Sequence, residues 1–128
     1  MPVKIAITAD KAPAALGPYS AAIRVGDMLF CSGQTPIVPE TGELVEGCVG
    51  CQTTQVLTNV SAVLEAAGLT LDNVVKTTVF LTDMADFAKM NGVYAEFFTE
   101  PFPARSTVAV AGLPKDASVE IEVIATVG

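Results

Sequence analysis

Residues 74–81 read Val-Val-Lys-Thr-Thr-Val-Phe-Leu, and this run of β-branched residues predicts a strand in the middle of the chain. A helix is predicted before it, because apolar residues recur there at three- and four-residue spacing up to a stop at Gly68. A second helix is predicted after it, capped by Thr82 or Asp83 and ended by the prolines of 101–103. The apolar face of this second helix holds four aromatic residues, Phe87, Tyr94, Phe97 and Phe98.

The remaining strands are predicted on both sides of this unit. Two β-prone runs around Gly26-Asp27 predict a hairpin, and residues 4–8 predict a short strand before it. Residues 105–111 and 119–127 predict the last two strands, which a turn at 112–116 would join as another hairpin. The order β-β-β-α-β-α-β-β predicts an α+β fold, with one mixed, mainly antiparallel sheet and two helices on one of its faces.

The strand residues on the other face are also apolar or small. Val108 and Val110 alternate with Ala109 and Ala111, so neither side of that strand is polar. A sheet with two apolar faces and helices for only one needs a cover from another subunit, which closed cyclic assembly provides. The sequence therefore predicts an oligomer without giving the number of subunits.

The composition argues against several kinds of function. The 128 residues include 7 basic and 14 acidic side chains, and the net charge of −7 argues against binding a phosphate backbone. There is no histidine, which excludes Ser-His-Asp and Cys-His centres and the usual imidazole metal sites. With 51% hydrophobic residues the chain can bury a core, and we expect a single domain, residues 1–128.

The cysteines and the apolar runs indicate the compartment. Three cysteines, an odd number, do not fit a disulfide scaffold. Residues 1–5 lack the apolar core of a signal peptide, and no apolar run reaches the roughly 18 residues that span a bilayer. We therefore expect a cytoplasmic protein that does not act at a membrane.

Cys48-Val-Gly-Cys51 is an isolated C-x-x-C pattern. A zinc site needs four ligands, and the chain offers one further cysteine and no histidine. A redox function needs a thioredoxin-like context, which the sequence does not indicate. We interpret the pair as two cysteines at the start of a helix.

Arg105 is one of only two arginines, with Arg24, and it opens a predicted strand. Its planar guanidinium matches a carboxylate, so it is either a strand-end residue paired with a surface acid or a carboxylate anchor in a cleft. Alternation along the strand places Arg105 and Thr107 on one face, with Ser106 and Val108 on the other.

Glu120 and Glu122 share a face of the last predicted strand. They form either the solvated side of an amphipathic strand or a site at which one carboxylate holds a water molecule. The predicted hairpin would put Arg105 and Glu120 of one chain roughly 15 Å apart, at about 3.3 Å per residue. If both serve one small ligand, we expect them to come from different subunits.

Two segments and one helix position are further candidates for a pocket wall. Tyr19 and Ser32-Gly33 flank the first hairpin, where turn chemistry is a sufficient explanation. Alternatively, Tyr19 closes a pocket and the backbone N–H of Gly33 binds an anion. Asn91 lies on the aromatic face of the second helix, where a buried amide needs a partner, and a helix-to-loop hydrogen bond would equally satisfy it.

Together these segments resemble the RidA family, also called YjgF-type, some of whose members are labelled L-PSP endoribonucleases. The similarity runs in the family's order over nearly the whole chain. The matching segments are 12–20 (APAALGPYS), 32–36 (SGQTP), 41–43 (TGE), 64–68 (LEAAG), 75–81 (VKTTVFL) with Asp83, 97–98 (FF), 102–106 (FPARS), 113–116 (LPKD) and 121–122 (IE).

The resemblance implies a chorismate-mutase-like subunit in a homotrimer, with ligand clefts between subunits. It implies hydrolysis of reactive imines and enamines, such as 2-iminopropanoate and 2-iminobutanoate, to 2-oxo acids and ammonia, without a metal or a cofactor. Arg105 matches the family's essential arginine, which would clamp the substrate carboxylate. Glu120 matches the acid that positions the attacking water, assisted by backbone groups near Thr107.

Four other residues match positions of the cleft by the same resemblance, namely Tyr19, Ser32, Gly33 and Asn91. One position departs from the pattern. Many bacterial members have cysteine where this chain has Thr107, so inferences about thiol regulation or substrate preference do not carry over to this chain.

Two other functions stay open from the sequence. A non-catalytic protein that binds 2-oxo or amino acids would use the same clamp but would not need a water-positioning acid, and the presence of both Arg105 and Glu120 favours the enzyme. The other is endoribonuclease activity or translation inhibition. It is disfavoured because the chain lacks the excess of positive charge that would bind RNA and has no histidine, the commonest acid/base residue.

Overall fold

The structure, a computed structural model, describes residues 3–128. Residues 1 and 2, which belong to the predicted domain and to the segment tested for a signal peptide, lie outside this range. Short 3₁₀ turns precede β4, α2 and β6. The helices and strands are β1 (Ile5–Ile7), β2 (Ala22–Val25), β3 (Met28–Cys31), α1 (Val49–Ala66), β4 (Val74–Leu81), α2 (Phe87–Phe97), β5 (Ala104–Ala109) and β6 (Val119–Thr126).

The six strands form one mixed sheet in the order β1-β2-β3-β6-β4-β5. Neighbouring strands are antiparallel except β4 and β5, which are parallel and connected through α2. This arrangement confirms the predicted α+β class and the predicted element order. Asp83, one of the two predicted caps, accepts a hydrogen bond from the backbone N–H of Ala85 at 2.9 Å in the turn before α2.

The predicted hairpin between β5 and β6 is wrong, because β4 lies between these two strands. β4 pairs over its length with β6 on one edge and with β5 on the other. The run of β-branched residues at 74–81 therefore forms a central strand with a neighbour on each edge. The connection between β5 and β6 crosses the end of β4 instead of folding back as a hairpin.

Alternate residues of the central strands point towards the helices and are buried. On β4 these are Thr77, Val79 and Leu81, and on β6 they are Val119, Ile121, Val123 and Ala125. They pack with the fully buried face of α1, formed by Val56, Leu57, Val60, Val63 and Leu64. Burial of each larger aliphatic side chain stabilises the fold by about 1.5–3 kcal/mol. Within residues 3–128, no helix combines the length and apolarity that crossing a membrane requires.

The opposite face of the sheet keeps apolar side chains at its surface. Phe30 of β3 and Val108 of β5 are 47% and 42% exposed. The strand register puts Phe30 opposite Ile124, and Val108 next to Phe80, on this same face. This is the face for which the sequence predicts a cover from another subunit.

Candidate active site

Arg105 lies on β5 with its side chain on the helix side of the sheet. The register pairs it with Thr77 of β4, which is fully buried on that side. Its Nη1 donates a hydrogen bond to Oδ1 of Asn91 on α2 at 2.7 Å. Its guanidinium carbon lies 4.7 Å from the ring centroid of Tyr94 and 5.5 Å from that of Phe87. Two elements, β5 and α2, therefore hold this guanidinium in place.

These contacts orient the guanidinium of Arg105 without neutralising its charge. Ring faces attract a cation by about 0.5–2 kcal/mol each, and the Asn91 amide is uncharged. The Tyr94 hydroxyl shares a 2.8 Å hydrogen bond with Oγ1 of Thr77, the residue next to Arg105 on β4. The bond to Asn91 uses one of the five guanidinium N–H donors. A charged guanidinium held in one orientation suits a carboxylate ligand. This favours the interpretation of Arg105 as a carboxylate anchor over that of a strand-end residue paired with a surface acid.

Sequence reasoning missed the role of two aromatic residues at this place. It assigned Phe87 and Tyr94 to the apolar face of the second helix without connecting them to Arg105. Alternation along each strand shows which residues share a face with Thr77 and which share a face with Arg105. These two faces can be matched only once β4 and β5 are known to pair in parallel. Asn91 lies where the sequence placed it, and its partner is Arg105.

Glu120 lies on β6 and points to the opposite face of the sheet, next to Phe80 of β4. A bridge of two backbone hydrogen bonds, 2.9 and 3.1 Å long, joins Gln34 to Ile121 on the other edge of β6. The bridge brings Gly33 beside Glu120, so closely that a Cβ at position 33 would collide with the carboxylate. Glycine at this position therefore makes room for the Glu120 side chain.

The carboxyl group of Glu120 is half-buried. This burial raises the pKa of Glu120, and the nearby negative charge of Glu122 raises it further. A carboxylate whose pKa is raised accepts a proton from water more readily than an ordinary one. A perturbed acid beside a cleft is also a common sign of a functional site.

A cleft of about 390 Å³ opens beside Glu120 on this face, and Leu16, Tyr19, Ser32, Gly33 and Thr35 contribute to its walls. Tyr19 is half-exposed, and its hydroxyl accepts a hydrogen bond from the backbone N–H of Leu16 at 3.2 Å. The Ser32 hydroxyl donates to the backbone carbonyl of Ser20 at 2.7 Å. The bond from Ser32 joins the segments before and after the first hairpin beside the cleft.

The predicted site residues thus form two groups on opposite faces of the sheet. The first group, on the helix side, is Asn91, Arg105 and Thr107. The second group, around the cleft on the other side, is Tyr19, Ser32, Gly33 and Glu120.

Within one chain, Arg105 and Glu120 are separated by the sheet itself. Arg105 neighbours Thr77 and Glu120 neighbours Phe80, so the two lie three residues apart along β4 and two strands apart across it. That corresponds to about 14 Å between their Cα atoms, at about 3.3 Å per residue and 4.8 Å between strands. The predicted separation was right in size although the hairpin behind it was wrong. A single chain does not bring both side chains to one small molecule.

The fold and these two groups define a class of small α+β proteins. Its members combine an arginine that suits binding of a carboxylate with an acidic residue that suits activation of a water molecule. The family model described as Endoribonuclease L-PSP matches residues 9–127, and the chain belongs to this family. Membership confirms the resemblance predicted from the sequence.

Relatives and solved structures match over nearly the full chain. A RutC family protein of Pyrococcus horikoshii is 56% identical over 123 residues, which cover 96% of this chain and 98% of the relative. The 2-iminobutanoate/2-iminopropanoate deaminase of Escherichia coli (strain K12) is 52% identical over 122 residues, covering 93% and 94%. A crystal structure of E. coli TdcF with bound serine has a TM-score of 0.90 and 46% identity, and covers 95% and 98%.

Proposed function

We propose that this protein hydrolyses small 2-imino acids and their enamine tautomers, with 2-iminopropanoate and 2-iminobutanoate as the substrate class, to 2-oxo acids and ammonia. The observation that carries the proposal is that the chain presents an oriented, charged Arg105 on one face of its sheet and a half-buried Glu120, whose pKa is raised, on the other. The E. coli relative named as a deaminase for these two imines supports it. The serine bound in TdcF supports it too, because serine carries the same carboxylate.

The proposed active unit is a homotrimer of single-domain chains with a cleft at each subunit boundary. Arg105 of one chain binds the substrate carboxylate, with Asn91 and Thr107 on its side of the cleft. The neighbouring chain supplies Glu120, and its Tyr19, Ser32 and Gly33 form the facing wall. Two observations support a cleft between chains, namely the opposite faces of the two groups and the exposed apolar residues of the open face. The number three rests on the family resemblance.

The reaction needs modest help, because an imine carbon is already electrophilic. Glu120 takes a proton from a water molecule as the water oxygen bonds to C2 of the substrate. Glu120 passes this proton to the nitrogen, which leaves a hydroxyl and an amino group on C2. The hydroxyl proton then moves to the nitrogen by way of Glu120 as the C–N bond breaks, so ammonia leaves and the C2–O bond becomes a carbonyl. One water is consumed for each ammonia released. Arg105 fixes the carboxylate so that C2 faces the water, which lowers the entropic part of the barrier.

We propose that this reaction takes place in the cytoplasm and that RNA is not the substrate. Three cysteines, an odd number, do not fit the disulfide scaffold that is typical of an oxidising compartment, which supports this location. The family description mentions an endoribonuclease, but a net charge of −7 and the lack of histidine favour the deaminase.

The test couples a serine or threonine dehydratase, which releases the imine, to this protein and follows imine decay by ultraviolet absorbance. Wild type should accelerate the decay, and Arg105→Ala should not. Arg24→Ala is the matched control, because the other arginine lies on β2 and its Nε donates to the carbonyl of Gly26 at 3.1 Å. Decay at the uncatalysed rate with wild type would refute the deaminase. Calorimetric binding of 2-oxo acids in that case would support the non-catalytic binder instead.

A further inference from the structure

Two exposed thiols lie at the start of α1, and neither lines the cleft beside Glu120. Cys48 is the N-cap of this 18-residue helix, and Cys51 lies in its first turn. The sulfur of Cys48 accepts a hydrogen bond from the backbone N–H of Cys51 at 3.1 Å. The backbone of Cys48 is extended, with φ −74° and ψ 157°, which turns its side chain back over the first turn of the helix.

We propose that Cys48 and Cys51 form a redox-active dithiol, which low-molecular-weight disulfides oxidise reversibly to an intrachain disulfide. The sequence alone did not indicate a structural setting in which this C-x-x-C pattern would be reactive. The structure provides one, because both cysteines lie at the start of a helix. The Cys48 sulfur lies 3.1 Å from the backbone nitrogen of Cys51, so it already contacts the residue that carries the second thiol. A disulfide needs about 3.5–4.5 Å between Cβ atoms, and this contact keeps the two side chains at the same turn of the chain.

The surroundings of Cys48 make it the attacking thiol. Its pKa is lowered, first by a hydrogen bond from the Cys51 thiol and then by the one from the Cys51 backbone N–H. The start of a helix also favours a negative charge, and the thiolate is the reactive form of cysteine. Cys31 shows the opposite case, because burial raises the pKa of its thiol to about 12.

Packing keeps the first turn of α1 in place, so Cys51 stays next to Cys48. The Gln52 side chain donates to the carbonyl of Val45 at 3.2 Å and accepts from the backbone N–H of Ser118 at 2.9 Å. A thiol held this close competes well with a thiol from a second molecule, because the ring closure is intramolecular. The structure therefore favours an intrachain disulfide over one between chains.

The exchange proceeds in two steps. The Cys48 thiolate attacks one sulfur of the small disulfide RSSR, whose S–S bond breaks, and one RS⁻ leaves. Cys51 then gives up its proton and attacks the Cys48 sulfur of the mixed disulfide, displacing the second RS⁻. The dithiol loses two electrons, RSSR gains them, and the two thiol protons end on the two RSH products.

The experiment treats reduced protein with glutathione disulfide without oxygen, stops the exchange with acid, and measures intact and peptide masses. Wild type should lose two hydrogens, the bond should map to Cys48–Cys51, and dithiothreitol should reverse the change. Cys51→Ser should instead hold one glutathione on Cys48, because the resolving thiol is missing. Cys48→Ser should react about tenfold more slowly. Cys31→Ser is the matched control and should behave as wild type does.

Three results would overturn the proposal. They are a stable glutathione adduct on the wild type in place of the two-hydrogen loss, disulfide-linked chains on a non-reducing gel, and equal reaction rates for wild type and Cys48→Ser. Serine is itself a good N-cap, so Cys48→Ser is expected to keep α1, and circular dichroism checks this.

Discussion

Replacing Asn91 with alanine removes the acceptor of the 2.7 Å hydrogen bond from Arg105 Nη1. Hydrogen bonds to a charged group contribute about 1.5–3 kcal/mol. The rings of Tyr94 and Phe87 stay beside the guanidinium and keep part of its orientation, so we expect a cost near the lower end of this range. Since about 1.4 kcal/mol corresponds to a factor of ten, kcat/KM for the imine should fall about tenfold.

The dehydratase-coupled assay measures this loss over a range of imine concentrations. The loss should fall on KM more than on kcat, because the carboxylate is held in the ground state and in the transition state alike. Asn91→Asp keeps the acceptor but adds a charge that competes with the substrate for Arg105, so its KM should rise further. Lys89→Ala, at an exposed position of the same helix, is the control and should change nothing. If Asn91→Ala keeps kcat/KM within about twofold of wild type, Asn91 does not position Arg105.

Further variants test the two sides of the site separately. Tyr94→Phe removes the hydroxyl that satisfies buried Thr77, so urea unfolding should show a loss of about 1–2 kcal/mol, with kcat/KM little changed because the ring stays. Gly33→Ala forces the Glu120 carboxylate to move, so kcat should fall by about tenfold or more while circular dichroism keeps the fold signal. Wild-type activity should rise with pH as Glu120, whose pKa is raised, loses its proton, and Glu120→Gln should lack this rise. Because the pKa of Glu120 is raised in the folded protein, its protonated form contributes stability at low pH, and this stability is lost as pH rises through the pKa. At neutral pH, Glu120→Gln should therefore unfold at a higher urea concentration than the wild type, whereas in acid the two should unfold at similar urea concentrations. Unchanged unfolding of Tyr94→Phe, full activity of Gly33→Ala, or a pH profile shared by wild type and Glu120→Gln would contradict the corresponding step.

The sequence was enough to predict which residues of a strand lie on the same face, because alternate side chains of a pleated strand point to the same side. Alternation was enough to group Arg105 with Thr107 and Glu120 with Glu122. It could not show that these two groups face opposite sides of the sheet, since that depends on which strands are neighbours. Consecutive strands pair more often than not, which favoured a hairpin between the last two, and the central position of residues 74–81 overrides that preference.

Contacts between distant segments account for the rest of what the sequence did not show. Tyr94 lies beside Arg105 only because α2 connects the parallel strands β4 and β5. Gly33 was a candidate for anion binding through its N–H, and the structure gives a steric reason for glycine there. That reason depends on the bridge between Gln34 and Ile121, which lie 87 positions apart in the sequence.

Each active cleft, as proposed, takes Arg105 from one chain and Glu120 from its neighbour. The most direct test co-expresses Arg105→Ala and Glu120→Gln, each with little activity alone, in equal amounts and assays the mixed oligomers. Random cyclic assembly gives about one quarter of the clefts both intact groups, so imine hydrolysis should return to about a quarter of the wild-type rate. A mixture no more active than the separate variants, although mass spectrometry shows mixed oligomers, would contradict a site shared between chains.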